Sequence, residues 1–286
     1  MPVLRANGIQ IYFEEHGSGE PLLLIMGWGG NAATWKPQLP GLAERYRVIL
    51  FDNRGAGRTS APDEPYTIRQ MAGDTLALLD VLAVPRAHVF GISMGGMIAQ
   101  EIALEQPERI ASLVLGCTSA GSAKAAGAAQ LHSEIATFRE TVGDSGPDLD
   151  WFAQLLRRLW TDEALAKSDP RLQDFVFSII RHPPPPHGIR HQAGAIAAHD
   201  AYDRLHRIAI PTLVTTGSED PLIDPENSYV LARRIPGAEL RVFDGLRHAF
   251  HLERPDLVNS VIIEFIERVK RSAGAPADGV PAAGGD

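Results

Sequence analysis

One serine, one aspartate and one histidine in this chain stand where a nucleophile, an orienting acid and a base would be expected. Ser93 lies between Gly91 and Gly95, directly after an apolar run and directly before a helix-like segment. A strand that turns sharply into a helix exposes the serine hydroxyl at its tip, and the flanking glycines remove side chains where backbone approaches backbone. Such a serine can attack a carbonyl carbon and form an acyl-enzyme if a base removes its proton.

The residue after this serine supplies a second group for the same chemistry. The Met94 N–H would be an unpaired donor at the start of the helix, directed to where an oxyanion would form. Glycine is frequent in the chain, with 27 in 286 residues, so a glycine-rich turn could also be purely structural. The catalytic hypothesis therefore depends on finding a base and an acid in suitable places.

Strands and helices alternate through most of the chain. A hairpin is predicted around Asn7-Gly8, a dipeptide typical of tight turns between strands. Later apolar runs are continuous, as in strands that are buried on both faces. Besides the strand before Ser93, strands are predicted at 21–26, 47–51, 110–115, 211–216 and 239–243, and helices at 34–46, 67–82, 94–105, 227–234 and 256–271. This order predicts an α/β fold with a mostly parallel sheet and helices on both faces.

The alternation is interrupted between residues 120 and 207. This region has several helical patterns, no convincing buried strand, and a proline run at 183–186 that we expect to be extended. We interpret it as a helical cap, or lid, over the carboxyl edge of the sheet. The predicted organisation is a core in two parts (1–119 and 208–272), the cap at 120–207, and a disordered tail at 273–286 that is rich in Ala, Gly and Pro.

An aspartate and a histidine follow the last two predicted strands. Asp220 comes four residues after the strand at 211–216, and His248 comes five residues after the strand at 239–243. Sites in open α/β sheets lie outside the carboxyl ends of the strands. Both side chains are therefore expected near Ser93, in the chain order serine, acid, histidine that accompanies a nucleophile elbow.

Composition argues against several other classes of protein. The net charge is −8 without a basic stripe, so no nucleic-acid partner is expected. Cys117 is the only cysteine, which excludes an intrachain disulfide and a cysteine metal cluster. The first residues carry no signal-peptide pattern, and the apolar run at 22–26 is too short to cross a membrane. We expect a cytoplasmic protein without membrane contact; its oligomeric state stays open, a homodimer included.

Two weaker patterns point to other chemistry. His187 and His191 have the i, i+4 spacing of metal-binding histidines, but no carboxylate or cysteine is placed with them, so solvated residues and no metal are expected. Residues 27–32 fit a loose G-x-G-x-x-A pattern after a strand, with Asp52 further on, as in a dinucleotide-binding oxidoreductase. That alternative leaves the serine, the acid and the histidine unexplained, so no cofactor is expected.

Four segments together resemble the α/β-hydrolase superfamily over nearly the whole ordered length. They are the elbow at 91–95, the loop at 52–60, Gly217-Ser-Glu-Asp-Pro-Leu-Ile, and His248-Ala-Phe-His-Leu-Glu-Arg-Pro. Within that superfamily the chain is similar to lid-bearing esterases and enol-lactonases of the 3-oxoadipate enol-lactonase type. The resemblance implies the α/β-hydrolase fold, with Ser93 as nucleophile, His248 as general base and then acid, and Asp220 as its orienting carboxylate.

The resemblance also implies a complete oxyanion hole. The backbone N–H of Trp28, in the loop after the strand at 21–26, would act together with that of Met94. Many relatives have His-Gly in this loop where the chain has Met26-Gly27. A backbone donor does not need that side chain, so the hole should persist. Trp28 would also form an aromatic wall of the cleft, and Cys117 is expected to be a small core or cleft residue.

Alternatives to the acid and the base stay open. Asp224 lies one turn beyond Asp220 and could orient the histidine, although Asp220 fits the position in the superfamily better. His251 is the rival of His248, but its shorter spacing before the following Glu and Pro indicates a packing or rim role. Turn or surface positions are expected for Glu219 and Asp244. Glu253 is expected as a solvated charge at a helix start, with support of the histidine loop as the alternative.

The residues and the resemblance together predict a serine hydrolase that cleaves a small carboxylic ester or lactone, with the cap setting substrate size. Alternatives on the same triad are a carbon–carbon bond hydrolase and a perhydrolase, although Gly29 replaces the proline usual in the perhydrolase oxyanion loop. A non-catalytic ligand receptor of the same fold is a further alternative. Serine at position 93 argues against haloalkane dehalogenases and epoxide hydrolases, whose relatives have aspartate there.

Overall fold

Eight strands form one sheet in the part of the chain that the computed structural model describes, which is residues 2–121, 124–127, 129, 133, 135–136, 149–167 and 169–274. The strands are β1 Val3–Ala6, β2 Ile9–His16, β3 Glu20–Ile25, β4 Tyr46–Phe51, β5 Ala87–Ile92, β6 Ile110–Gly116, β7 Thr212–Gly217 and β8 Glu239–Phe243. Their order is β1-β2-β4-β3-β5-β6-β7-β8. β2 is antiparallel to both β1 and β4, and all other neighbours are parallel. The predicted α/β architecture is confirmed.

Helices pack on both faces of this sheet, and further helices lie in the region predicted to form the cap. They are α1 Leu39–Ala43, α2 Ile68–Val81, α3 Met94–Glu105, α4 Leu149–Leu159, α5 Asp162–Ala166, α6 Pro170–Arg181, α7 Pro186–Ala198, α8 Glu226–Arg234, α9 Phe250–Glu253 and α10 Pro255–Gly274, with 3-10 turns at Ala32–Gln38, Pro107–Arg109 and Tyr202–Arg207. Successive side chains of a strand point to opposite faces. In β3, Leu23 and Ile25 pack with α2 and α3, whereas Leu22 and Leu24 pack with α1 and α10.

The helix predicted at 34–46 is wrong in form. A 3-10 turn at Ala32–Gln38 is followed by the five-residue α1, and the chain leaves α1 before β4. Pro37 and Pro40 lack the backbone N–H that a continuous α-helix would need at those positions. The other predicted strands and helices outside the cap differ from the structure only at their ends.

The region 120–207, predicted to form a cap, is largely helical among its described residues. It contains helices α4 to α7. Its described residues form no strand of the sheet, and their β pairing is limited to an isolated bridge between Gly121 and Asp200. The proline run is extended at Pro185, but Pro186 already begins α7, where a missing N–H has no consequence. The predicted tail lies outside the described residues from 275 onward. No helix in the described ranges is long and apolar enough to cross a membrane.

A buried ion pair joins the loop after β4 to helix α2. Arg54 Nε and Nη2 donate to the two carboxylate oxygens of Asp74 at 2.5 and 2.7 Å, and Asn7 Nδ2 donates to the same carboxylate at 2.7 Å. The side chains of Arg54 and Asp74 are each 3% exposed. Removal of one partner from such a pair leaves a buried charge without its compensation.

We expect Asp74→Ala to lower the free energy of unfolding by about 3–5 kcal/mol. The matched control is Asp80→Ala on the same helix, where the carboxylate is 64% exposed and pairs with Arg109. This control should lower it by less than about 1 kcal/mol. Urea unfolding followed by circular dichroism measures the free energy of unfolding of both variants. Equal decreases would show that the buried Arg54–Asp74 pair contributes no more to stability than the exposed pair.

Candidate active site

Ser93 lies at the turn between β5 and α3 in a strained backbone conformation. Its φ is 56° and its ψ is −120°, which is rare for a residue with a side chain. Such a conformation costs on the order of 1–3 kcal/mol and is typically retained at functional sites. A Cβ at Gly91 would lie 2.3 Å from the Gly95 carbonyl oxygen, and one at Gly95 would lie 2.1 Å from the Ile25 carbonyl oxygen. Both glycines are therefore required by close approach of the backbone.

Asp220 and His248 form a buried hydrogen-bonded pair. The distance between His248 Nδ1 and Asp220 Oδ2 is 2.7 Å. The other carboxylate oxygen accepts from the backbone N–H groups of Leu222 and Ile223 at 2.8 and 3.0 Å. The carboxylate is thus fixed from the loop after β7, and it holds the imidazole that follows β8.

The electrostatic surroundings of His248 favour protonation of its ring. Burial by itself would lower the pKa of His248, but the Asp220 carboxylate, together with the adjacent Cys117, raises this pKa well above its ordinary value. With Nδ1–H donating to Asp220, the neutral ring presents Nε2 as an acceptor. This is the arrangement that a general base needs.

His248 Nε2 lies next to Cys117 rather than in a hydrogen bond with the serine. The distance from Cys117 Sγ to His248 Nε2 is 3.8 Å, and Cys117 is fully buried with a φ of 37°. Among the described residues no hydrogen bond joins Ser93 Oγ to His248, although both side chains line one cavity. Such contacts are often longer in a ligand-free site than in a substrate complex.

The alternative acids take structural positions. Asp224 Oδ1 accepts from the Glu226 N–H at 2.9 Å, at the start of α8. Asp244 receives the Ser218 hydroxyl at 3.3 Å in the turn after β8. The Glu219 N–H donates to the Leu246 carbonyl at 3.0 Å, which joins the two loops of the pair. None of these three carboxylates bonds to His248 within the described part of the chain.

The loop after β3 lies against the serine. A Cβ at Gly27 would be 3.1 Å from Ser93 Cβ, so this glycine permits the contact. Met94 begins α3, where the first N–H groups have no partner inside the helix. Trp28 lies between Gly27 and Gly29, and its indole Nε1 donates to the Ile189 carbonyl at 3.0 Å. The predicted oxyanion donors, Met94 and Trp28, are thus on the two segments that flank Ser93.

A cavity of about 790 Å³ contains Ser93 and His248 at its wall. Trp28 faces Trp151 there with ring centroids 6.3 Å apart, which agrees with its expected place in the cleft wall. Much of the wall is apolar and comes from the predicted cap, including Trp151, Leu155, Phe175, Ile179, Ile189 and Ile196. Apolar cavities of this size accommodate small organic ligands.

The weaker predicted patterns have structural explanations. Asp52 accepts from the Ala32 N–H at 2.6 Å and from Arg58 Nε at 2.8 Å, so its carboxylate is already engaged within the core. His187 Nε2 bonds to the Ala61 carbonyl and His191 Nε2 to the Asp63 carboxylate, both at 2.8 Å. Both histidines are half-buried rather than solvated, because α7 packs on the loop after β4.

One set of ligand atoms has the proximity that a metal ion would need. Those of Cys117, Asp220 and His248 lie within 4.8 Å of one another in the described part of the chain. Asp220 and His248 are already bonded to each other, and Cys117 adjoins the opposite ring nitrogen. The set is therefore better explained as a hydrogen-bonded pair with an adjacent thiol, and the absence of a metal or cofactor requirement stays a prediction.

The expectation that Glu253 is solvated is wrong. Of the two roles expected for His251, packing or the rim, the structure shows packing. Glu253 is only 6% exposed, and its carboxylate accepts from the N–H and hydroxyl of Thr161 at 2.9 and 2.7 Å. It therefore joins the start of α5 to α9. The ring of His251 packs between Trp35 and Phe250, and burial lowers its pKa to about 3, so the ring is neutral.

The fold and this arrangement define a class of protein. Residues 20–255 match the family described as the alpha/beta hydrolase fold, and the chain belongs to that family. A relative from Azorhizobium caulinodans with the provisional name carbamate hydrolase RutD is 34% identical over 93% of this chain and 98% of its own length. The enol-lactonase from Burkholderia xenovorans is 26% identical, with a TM-score of 0.83 and coverage of 93% and 100%. A thermophilic esterase from Thermogutta terrifontis is 27% identical, with a TM-score of 0.84 and coverage of 94% and 99%.

Two features of the site were not predicted. Gln192, in the predicted cap, accepts the Gly29 N–H at 2.9 Å, and no sequence pattern marks it. Cys117 was expected in the core or cleft, but its contact with His248 was not foreseen. Its position at the end of β6, between the strands that precede Ser93 and Asp220, was the available signal.

Proposed function

We propose that this α/β hydrolase is a serine enzyme that cleaves a small carboxylic ester or lactone through an acyl-enzyme. The proposal is carried by one observation: a serine held at a φ of 56° shares a cavity with a buried histidine–aspartate pair. The enol-lactonase and esterase with the same fold support the choice of ester chemistry. The expected partner is thus a small-molecule substrate.

The proposed reaction has two steps, acylation of Ser93 and hydrolysis of the acyl-enzyme, and the same base and oxyanion donors act in both. Ser93 Oγ attacks the carbonyl carbon while His248 Nε2 takes its proton, and the N–H groups of Met94 and Trp28 stabilise the oxyanion. The imidazolium then protonates the departing alkoxide, and Ser93 remains acylated. Water repeats the attack with the same base, and collapse of the second intermediate releases the acid and restores the serine. With a lactone, the alkoxide stays tethered to the acyl group.

The cap has a defined part in this proposal. Helices α4, α6 and α7 supply apolar side chains to the cavity that holds Ser93, which supports a role as a lid. Such a lid would exclude bulk water and limit the length of the acyl or alcohol group. The boundaries at 120 and 207 stay part of the proposal.

Carbamate hydrolysis is the second candidate, because the relative at 34% identity carries that name. The same serine can attack the carbonyl carbon of a carbamate. In a carbamate this carbon carries a nitrogen atom where an ester carries the carbon chain of its acyl group. The two candidate reactions differ in the group that is transferred to Ser93, an acyl or a carbamoyl group. Both use the same catalytic residues. A substrate panel can therefore separate them without any change of enzyme.

The experiment is steady-state hydrolysis of p-nitrophenyl acetate, butyrate and octanoate, an enol-lactone, and p-nitrophenyl N,N-dimethylcarbamate. We expect turnover of the esters or the lactone, with a chain-length optimum set by the cavity. Turnover of the carbamate alone would replace the ester proposal by the second candidate. A folded protein that is inert toward all five would reject both and favour a carbon–carbon bond hydrolase or a ligand receptor.

A further inference from the structure

The Gln192 side chain connects two loops of the core from within the cap. It lies on α7 and is fully buried. Its Oε1 accepts the Gly29 N–H at 2.9 Å, and its Nε2 donates to the Arg54 carbonyl at 2.7 Å. A neutral amide can accept and donate at the same time, and among side chains of this length only glutamine offers both groups without a charge.

The first of these loops is the one proposed to supply the oxyanion donor at Trp28. Its turn is closed by the Gly30 N–H, which donates to the Gly27 carbonyl at 3.3 Å, and Gly29 has a φ of 68°. Helix α7 holds the turn at two successive residues, because Ile189 accepts the Trp28 indole and Gln192 accepts the Gly29 N–H. Trp28 therefore lies between Gly27, which closely approaches Ser93, and Gly29, which is hydrogen-bonded to α7.

The other end of the contact is rigid. Arg54, whose carbonyl receives the Gln192 amide, is itself held by the buried pair with Asp74. Helix α7 also approaches this loop closely, since a Cβ at Gly188 would lie 2.4 Å from the Gly55 carbonyl oxygen. The position of α7 is thus fixed against the core at the level of Gln192.

We propose that Gln192 is a positioning residue that sets the direction of the Trp28 N–H through Gly29. The inference rests on the proposed serine mechanism, because it assigns a purpose to the oxyanion loop. In the proposed mechanism, Gln192 contacts neither the substrate nor the reacting atoms. It transmits the rigid position of the Arg54 loop to the oxyanion loop.

The test compares three variants of the full chain after titration of active sites with an organophosphate. Gln192→Met keeps the length and removes both hydrogen bonds, whereas Gln192→Glu keeps an acceptor for Gly29. The control is His191→Ala, on the same helix, which removes the contact with exposed Asp63 and the ring contacts with Tyr66 and His187 but neither bond of Gln192. For Gln192→Met we expect kcat per active site to fall by about 10- to 100-fold with KM changed by less than about three-fold, since misplacement of an oxyanion donor acts on the transition state. His191→Ala should match the wild type.

Gln192→Glu separates positioning from stability. A buried carboxylate should lower the melting temperature more than methionine does. It should nevertheless retain more kcat than Gln192→Met, because the Gly29 contact persists. If kcat instead follows the melting temperature across the variants, Gln192 has a structural role only and the proposal is overturned.

A measurement without substrate keeps the inference separate from the proposed function. Amide hydrogen exchange of the segment 26–31 should be faster in Gln192→Met than in the wild type and unchanged in His191→Ala. Unchanged exchange in Gln192→Met would overturn the proposal. A wild type that hydrolyses no ester, together with faster exchange in Gln192→Met, would reject the esterase function while supporting the loop contact.

Discussion

Replacement of Ser93 by alanine is expected to lower kcat for ester substrates by about 10⁴- to 10⁶-fold. The Ser93 hydroxyl is the proposed attacking atom, so the variant cannot form an acyl-enzyme. A residual rate would come from water attacking a substrate held in the cavity beside the oxyanion donors. The Ser93 side chain makes no capping hydrogen bond to α3, so its removal should leave thermal unfolding nearly unchanged.

The measurement combines p-nitrophenyl butyrate kinetics, circular dichroism, and the intact mass after reaction with a fluorophosphonate. The wild type should gain one adduct, on the peptide that contains Ser93, and Ser93→Ala should gain none. Ser260→Ala is the control, since Ser260 is exposed and bonds only to the Leu257 carbonyl. A folded Ser93→Ala protein with wild-type turnover would remove this serine from the mechanism.

Asp220→Asn is expected to lower kcat by about 10³- to 10⁴-fold while the fold persists. The asparagine carbonyl can still accept from Leu222 and Ile223, as Asp220 Oδ1 does. Its amide group would then face His248 Nδ1 and favour the tautomer with the proton on Nε2. That tautomer cannot take the serine proton.

The same variant should also change the pH dependence. In the wild type the Asp220 carboxylate raises the pKa of His248, so kcat/KM should fall as the pH decreases through a value above the ordinary histidine pKa. Without the negative charge the pKa of His248 falls, and the acid limb should move to lower pH. Asp224→Asn, which keeps the acceptor for Glu226, should change neither rate nor profile. A larger loss for Asp224→Asn than for Asp220→Asn would reverse the assignment of the orienting acid.

The fold and the pairing of Asp220 with His248 were predictable because they follow from strand order. Continuous apolar runs marked β3, β4 and β6, and the carboxyl ends of parallel strands meet at one edge. A residue that follows β7 and one that follows β8 must therefore approach each other and the turn after β5. The spacing of Gly91 and Gly95 was also informative, since Gly91 closely approaches the backbone of Gly95 and Gly95 closely approaches that of Ile25 in β3.

Features that depend on contacts between distant segments were not predictable. Glu253 was expected in solvent because charged side chains at helix starts usually are, but Thr161, 92 residues away, buries it. Gln192 lies 163 residues from its partner Gly29 and has no local pattern. The helix predicted at 34–46 was wrong for another reason, because Pro37 and Pro40 both lack the N–H that a continuous α-helix would need.

The neighbouring position of β6 and β7 has a consequence for how such proteins diversify. These strands are hydrogen-bonded from Leu113 to Gly116, yet ninety-five residues, including the proposed cap, separate Gly116 from Thr212 in the chain. Recombination could therefore exchange the whole intervening segment, and with it the selectivity of the cavity, while strand register and the proposed chemistry are inherited unchanged. The contact of Gln192 with Gly29 adds one restriction, because an exchanged segment must also provide a hydrogen-bond acceptor at that point.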